Sequence, residues 1–211
     1  MLFLKKGRKI FLGASLVLLT WSCRERTSGK FEISTVSQKI APVLGKAPEF
    51  FCLTNQDSQQ ICREDVAGKI WVADFFFTTC PTICPRMSDQ MARLRDSFLH
   101  ENRLVLLSHS IDPEHDKPFV LKAYAQRLGG TGGGRWHLLT GPRDTIFELA
   151  QQYSIAVSEE ASAPGGFIHS GAFVLVDTQG RIRGFYDGTR AEETDRLMDH
   201  IRTLLDEKTT Q

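Results

Sequence analysis

Two cysteines separated by three residues, Cys80 and Cys84, stand in the stretch Thr78-Thr-Cys-Pro-Thr-Ile-Cys-Pro85. Thiols at this spacing can exchange with a disulfide, reduce a peroxide or hold a soft metal ion. Pro85 narrows the geometry. Proline is tolerated in a helix only in the first turn, so a helix is predicted to start at Ile83 or Cys84, with Cys80 in the loop before it. Both sulfurs then face the positive end of the helix dipole, where a thiolate is stabilised. Acidic thiols suit redox exchange and metal binding equally, so acidity alone does not choose between them.

A metal site needs more donors. Two thiolates and an imidazole suit copper: sulfur satisfies Cu(I), and nitrogen is accepted by Cu(II). The chain has six histidines, and His169 is the best placed. It follows a small, polar segment at 158–166, read as a mobile loop, and precedes a predicted strand at 172–176. In a thioredoxin-like sheet that turn lies against the cysteine turn, where thiol oxidoreductases usually carry a cis-proline. Here the residues are Gly165-Gly-Phe-Ile-His-Ser170, with no proline. A histidine in that place favours a metal over a substrate disulfide. His109 falls in a strand and reads as structural, and His115, near a helix start, is a weaker candidate. His100, His137 and His200 read as surface or packing residues. Met87 and Met91 continue with Leu94 and Phe98 along one helical face, which assigns their thioethers to the core.

The elements that must position these groups are legible from periodicity. Residues 69–77 form an apolar run broken only by Asp74, the pattern of a central strand covered on both faces. A second buried strand spans 104–111. Asp116 is expected to cap a helix with Pro118 in its first turn and Gly129 at its end. Residues 129–134 include five glycines but lack the Lys-Ser/Thr of a phosphate-binding loop, so they read as a flexible connection. A strand at 136–139, a helix at 142–153, a hairpin at 172–176 and 181–186, and a last helix bearing Leu197, Ile201, Leu204 and Leu205 complete the order. Ahead of these, strands at 49–53 and 59–62 flank a turn at 55–58. Cys52 and Cys62 lie symmetrically about its midpoint, so they are predicted to be cross-strand neighbours joined by a structural disulfide. The expected fold is an α/β, thioredoxin-like sandwich: a mixed central sheet flanked by helices, with an N-terminal β-hairpin.

The chain has 211 residues, 41% hydrophobic and 24% charged, the size and composition of one globular domain with a leader. Residues 1–22 carry Lys5, Lys6, Arg8 and Lys9 and no acid, then an apolar run at 10–21 that is short for a bilayer span. They read as a signal peptide. Ser22-Cys23 after the run resembles a lipoprotein signal with Cys23 as the lipidated residue, although Thr20 stands where such signals usually carry leucine. The remainder holds 22 basic and 25 acidic residues, a balance that gives no basis for nucleic-acid binding. The expected organisation is signal 1–22, tether 23–47, domain 48–207 and tail 208–211. Export and membrane anchoring would face the domain toward the periplasm or cell exterior, where cysteine pairs can stay oxidised.

Four stretches together resemble the Sco/SenC family: Phe76-Phe-Thr-Thr-Cys80-Pro-Thr-Ile-Cys84-Pro85, Ser110-Ile-Asp112-Pro-Glu-His-Asp116-Lys-Pro118, Trp136-His-Leu-Leu-Thr-Gly141, and His169-Ser170 before a strand ending near Asp177. The resemblance runs from about Pro48 to Leu205. It implies a membrane-tethered, thioredoxin-like protein that binds copper through Cys80, Cys84 and His169. It also implies a metallochaperone or thiol-reductant role in maturing the two-copper centre of cytochrome c oxidase. The implied partners are the oxidase's copper-binding subunit and a periplasmic copper donor or thiol reductant. One departure stands out: the family often carries aspartate just before the ligand histidine, and this chain has Ile168. Asp112 and Asp116 match the second motif, with loop and cap structure as their expected roles. A thiol–disulfide oxidoreductase using Cys80 and Cys84 is the second reading. A peroxiredoxin is the third and weakest, because Phe77 and Ile83 replace that motif's threonine and glutamate.

Overall fold

A computed structural model describes residues 43–207 of the chain. The signal at 1–22, the lipidation site Cys23, most of the tether and the tail at 208–211 lie outside the described residues. The strands are β1 (Gly45–Lys46), β2 (Cys52–Asn55), β3 (Gln60–Cys62), β4 (Ile70–Phe76), β5 (Leu104–Ser110), β6 (Trp136–Thr140), β7 (Val157–Glu159), β8 (Phe167–His169), β9 (Ala172–Val176) and β10 (Arg181–Asp187). The helices are α1 (Cys84–Ser97), α2 (Pro118–Arg127), α3 (Arg143–Gln152) and α4 (Ala191–Glu207).

Eight strands form one mixed sheet in the order β1-β10-β9-β4-β5-β6-β2-β3. All seven residues of β4 and all seven of β5 are buried, as strands covered on both faces must be. The two run parallel, and β9 pairs antiparallel on the other side of β4. Residues alternate in β4, so its two faces meet different neighbours. Trp71 and Phe75 meet Tyr153, at the end of α3; Trp71 Nε1 donates to the Tyr153 hydroxyl at 3.1 Å. Phe76 meets Tyr124 of α2, whose hydroxyl is 2.8 Å from Ser88 Oγ of α1. Met87, Met91 and Leu94 of α1 are fully buried, so the helical stripe packs into the core.

The N-terminal hairpin pairs Cys52 with Cys62 in register, and their sulfurs form a disulfide. Such a bridge closes a short loop. In the chain-entropy account, replacing both cysteines with serine lowers stability by about 2–3 kcal/mol. Urea unfolding with and without the pair measures this, and an unchanged midpoint would contradict it.

Three expectations are corrected. Asp116 does not cap α2: Lys117 occupies the cap, with no side-chain cap bond, and the Asp116 carboxylate is turned inward and fully buried. The segment at 158–166 is not all loop, because Ser158 and Glu159 belong to β7. β7 pairs antiparallel with β8 around it, with Val157 opposite His169. The tether does not reach residue 47, because Gly45 and Lys46 already pair with Ile182 and Arg181 of β10. The glycine-rich connection after α2 is fastened by Arg95, whose guanidinium donates to the carbonyls of Leu128 and Gly130.

Candidate metal and thiol centre

β4 delivers the chain to the cysteine turn, and α1 starts at Cys84 with Pro85 in its first turn. Cys80 lies in the turn ahead, its amide donating to the Phe77 carbonyl at 3.3 Å. β9 lies next to β4, so the segment entering β9 arrives beside this turn. That segment carries β8, and β8 ends in His169.

The result is one cluster: the ligand atoms of Cys80, Cys84 and His169 all lie within 4.8 Å of one another. Cys84 Sγ and His169 Nε2 are 3.2 Å apart. His169 Nδ1 lies 3.2 Å from the Ser170 carbonyl oxygen. A carbonyl only accepts, so Nδ1 carries the proton and Nε2 turns a lone pair toward the sulfurs. Burial lowers the His169 pKa, against the opposing bond to Ser170, so the ring is neutral at pH 7. A neutral imidazole and two thiols form a donor set that fits a soft or borderline metal ion such as copper.

The hairpin β7–β8 is seated on the cysteine turn by aromatic packing. Phe77 lies 5.3 Å from the Phe167 ring and 5.8 Å from the His169 ring. Gly165 has φ of +80°, and a Cβ there would come within 2.6 Å of Phe77. Glycine therefore serves twice at this point: it adopts a left-handed backbone and lets the ring come close.

The two thiols differ, where the sequence placed both at a stabilising helix end. Burial opposes ionisation of Cys80, but hydrogen bonds from the Thr82 hydroxyl, the Thr82 amide and the Cys84 amide outweigh it and lower the pKa. Burial dominates at Cys84 and pushes its pKa far up, with the neighbouring Cys80 adding to the rise. Cys80 is also the more exposed, at 8% against 1%. Iodoacetamide is therefore expected to alkylate Cys80 more than about tenfold faster than Cys84 in the reduced, metal-free domain. Peptide mapping after brief labelling reads this directly, and equal labelling would contradict it.

The remaining candidates are placed elsewhere. His109 is fully buried, stacked on Phe75 at 4.8 Å, with Nδ1 3.0 Å from the Asp74 carbonyl. His115 is exposed and bonds Asp116. His137 bonds Asn55, His200 bonds the Tyr186 hydroxyl, and His100 is exposed. Ile168, where the family often has aspartate, is half exposed and brings no carboxylate. Sequence reasoning missed two contributors. Phe77 and Gly165 position the histidine, and the only signal was a Gly-Gly pair in a segment read as loop.

A thioredoxin-like sheet that brings two thiols and a neutral imidazole together defines a dithiol protein able to hold a metal ion. The SCO1/SenC family model matches residues 45–206, and the chain belongs to this family. It is similar to the SCO1 protein homolog of Bacillus subtilis, 33% identical over 168 residues, 79% of this chain and 86% of that protein. A SCO1/SenC family lipoprotein from Bacillus anthracis shares the fold, with a TM-score of 0.70 and 33% identity over 77% of this chain and 96% of that one. BsSco, described as a member of the Sco family of cytochrome c oxidase assembly proteins with a disulfide switch, matches with a TM-score of 0.69. It is 32% identical, over 79% of this chain and 98% of its own.

Proposed function

We propose that this chain is a copper metallochaperone that binds the ion through Cys80 Sγ, Cys84 Sγ and His169 Nε2. It delivers copper to the two-copper centre of a cytochrome c oxidase, through the oxidase's copper-binding subunit. The observation carrying this reading is the convergence of three soft or borderline donors, from segments 85 residues apart, within 4.8 Å. The description of BsSco as a member of a family of cytochrome c oxidase assembly proteins supports the recipient. The signal-like leader and the lipoprotein relative support export and anchoring through Cys23. No helix among the described residues is long and apolar enough to cross a membrane.

Redox state gates the site. Joining Cys80 and Cys84 as a disulfide gives up two electrons and two protons to an oxidant such as another disulfide, and removes both thiolate ligands. A periplasmic thiol reductant restores the dithiol, and a periplasmic donor then loads copper. The test is a copper titration of the soluble domain in both redox states. The reduced domain is expected to take up one copper, giving intense sulfur-to-copper charge-transfer absorption with Cu(II), and the oxidised domain none. Failure of the reduced domain to bind copper would sink the chaperone reading.

The unequal thiols favour a second activity at the same site. Cys80, the less buried thiol with the lowered pKa, suits attack on a target disulfide, and Cys84 suits resolution of the mixed disulfide. The target leaves as a dithiol and the domain keeps the Cys80–Cys84 disulfide. Efficient insulin reduction without stable copper binding would make this the sole function.

A further inference from the structure

We propose that Asp116 is a positioning residue for the metal and thiol centre, holding the cysteine turn in its ligand-ready place; the metal part of this rests on the copper reading above. The carboxylate is fully buried, and it holds Thr78, at the root of the turn, together with Ser110 and His115. Oδ2 accepts from the Thr78 amide at 3.0 Å and from the Ser110 hydroxyl at 2.6 Å. Oδ1 accepts a short bond from the Thr78 hydroxyl and lies 2.9 Å from His115 Nδ1. Thr78 lies two residues past the end of β4 and two residues before Cys80.

The topology explains why a carboxylate is needed. β4 and β5 run parallel, with Phe76 opposite Ser110, so both strands end at the same level. Beyond that level the Thr78 amide has no strand partner. Asp116 reaches it from the far side of a turn in which Asp112 accepts the amides of His115 and Asp116. One buried carboxylate thus ties the exit of β4, the end of β5 and the start of α2 together. A residue that orients ligands through hydrogen bonds behaves as an outer-shell partner, where loss typically weakens a site about 10–100-fold.

The roles of hydrogen bonding and charge can be separated. An asparagine oxygen can still accept from the Thr78 amide and Ser110. Its NH2 can donate to the Thr78 hydroxyl and to His115 Nδ1 in the other tautomer. Alanine keeps none of these bonds. Asp116→Ala is therefore expected to raise the Cys80 alkylation rate about tenfold in metal-free protein and to weaken copper binding at least about tenfold, with a broadened and shifted charge-transfer band. Asp116→Asn is expected to stay within about threefold of wild type in both readouts. Circular dichroism confirms that each variant is folded. If Asp116→Ala does not fold, Thr78→Val removes the hydroxyl partner from the turn's side, and a smaller rise in alkylation, about threefold, is the expected result. A folded Asp116→Ala, or Thr78→Val in its place, with wild-type alkylation and copper spectrum would overturn the proposal. So would an Asp116→Asn as impaired as the alanine variant, which would assign the effect to charge. The alkylation arm needs no copper. If wild-type protein bound no copper, the metallochaperone reading would fail while the positioning role was still decided.

Discussion

Replacing His169 with alanine is expected to weaken copper binding by the reduced domain by at least about 100-fold while leaving it folded. The ring supplies the only nitrogen of the ligand cluster, and its Nε2 lone pair is fixed by donation from Nδ1 to Ser170. Alanine leaves two thiolates and, among the described residues, no preformed third donor, so the ion keeps a two-coordinate site suited to Cu(I) and loses the nitrogen that Cu(II) favours. Cu(II) affinity should therefore fall more than Cu(I) affinity. The fold should tolerate the change, because His169 ends a short strand outside the eight-stranded sheet and contributes mainly its packing against Phe77. Competition titrations with a chromogenic chelator, run for each oxidation state, measure both affinities. Equal binding by wild type and variant would remove His169 from the site.

The second large effect concerns stability against pH and arises from two buried groups on opposite faces of the sheet. Asp74 is 3% exposed, its Oδ1 lacks a hydrogen-bond partner, and burial raises its pKa from 3.8 to about 7 despite a bond from Ser108. His109 is fully buried with Nε2 unpartnered, and burial lowers its pKa from 6.5 to about 4 against the bond to the Asp74 carbonyl. The signs oppose each other. A raised acid pKa means that the folded state holds its proton longer than the unfolded chain. The stability tied to Asp74 is complete below pH 4 and is lost as pH rises to about 7, on the order of 4 kcal/mol. A lowered histidine pKa means that the unfolded chain takes up the proton first. The stability tied to His109 is complete above pH 6.5 and is lost as pH falls to about 4, on the order of 3 kcal/mol.

Between pH 4 and 6.5 these slopes largely cancel in the wild type. Asp74→Asn removes one of them. The variant is expected to gain stability steadily from pH 4.5 to 6.5, by up to about 3 kcal/mol, where the wild type changes little. At pH 8 it should exceed the wild type, because no carboxylate charge remains to be buried. Urea unfolding of metal-free protein at three pH values resolves this, and parallel profiles for the two proteins would refute the assignment. Asp74 is thus a costly residue in a core strand. It was visible in the sequence as the one polar break in an apolar run, but its ionisation state was not.

Much of the architecture was legible before any coordinates. The seven-residue apolar strands, the helical stripe of Met87, Met91 and Leu94, and the proline after Cys84 each encode local structure through periodicity or backbone constraint. The opposed placement of Cys52 and Cys62 followed from a symmetric hairpin, whose register is set within eleven residues. Local encoding also misled. Asp116, two residues before Pro118, has the pattern of a capped helix start, yet its carboxylate answers to Thr78, just past the end of β4, and Ser110, the last residue of β5. The segment at 158–166 has the composition of a loop, yet pairing of β7 with β8 shapes it, because short strands owe their existence to a partner rather than to their own residues.

The sequence by itself determined that two thiols meet at a strand–helix junction, since Cys80, Cys84 and Pro85 are close in the chain and the constraint is local. It also marked His169 as the candidate third donor, by its place before a strand. Only the tertiary structure decided that β9 lies beside β4, which brings His169 Nε2 to 3.2 Å from Cys84 Sγ across 85 residues. It also decided that the two thiols are unequal. A helix N-terminus offers both sulfurs the same favourable dipole, but burial is set by everything packed around them, and at Cys84 burial wins.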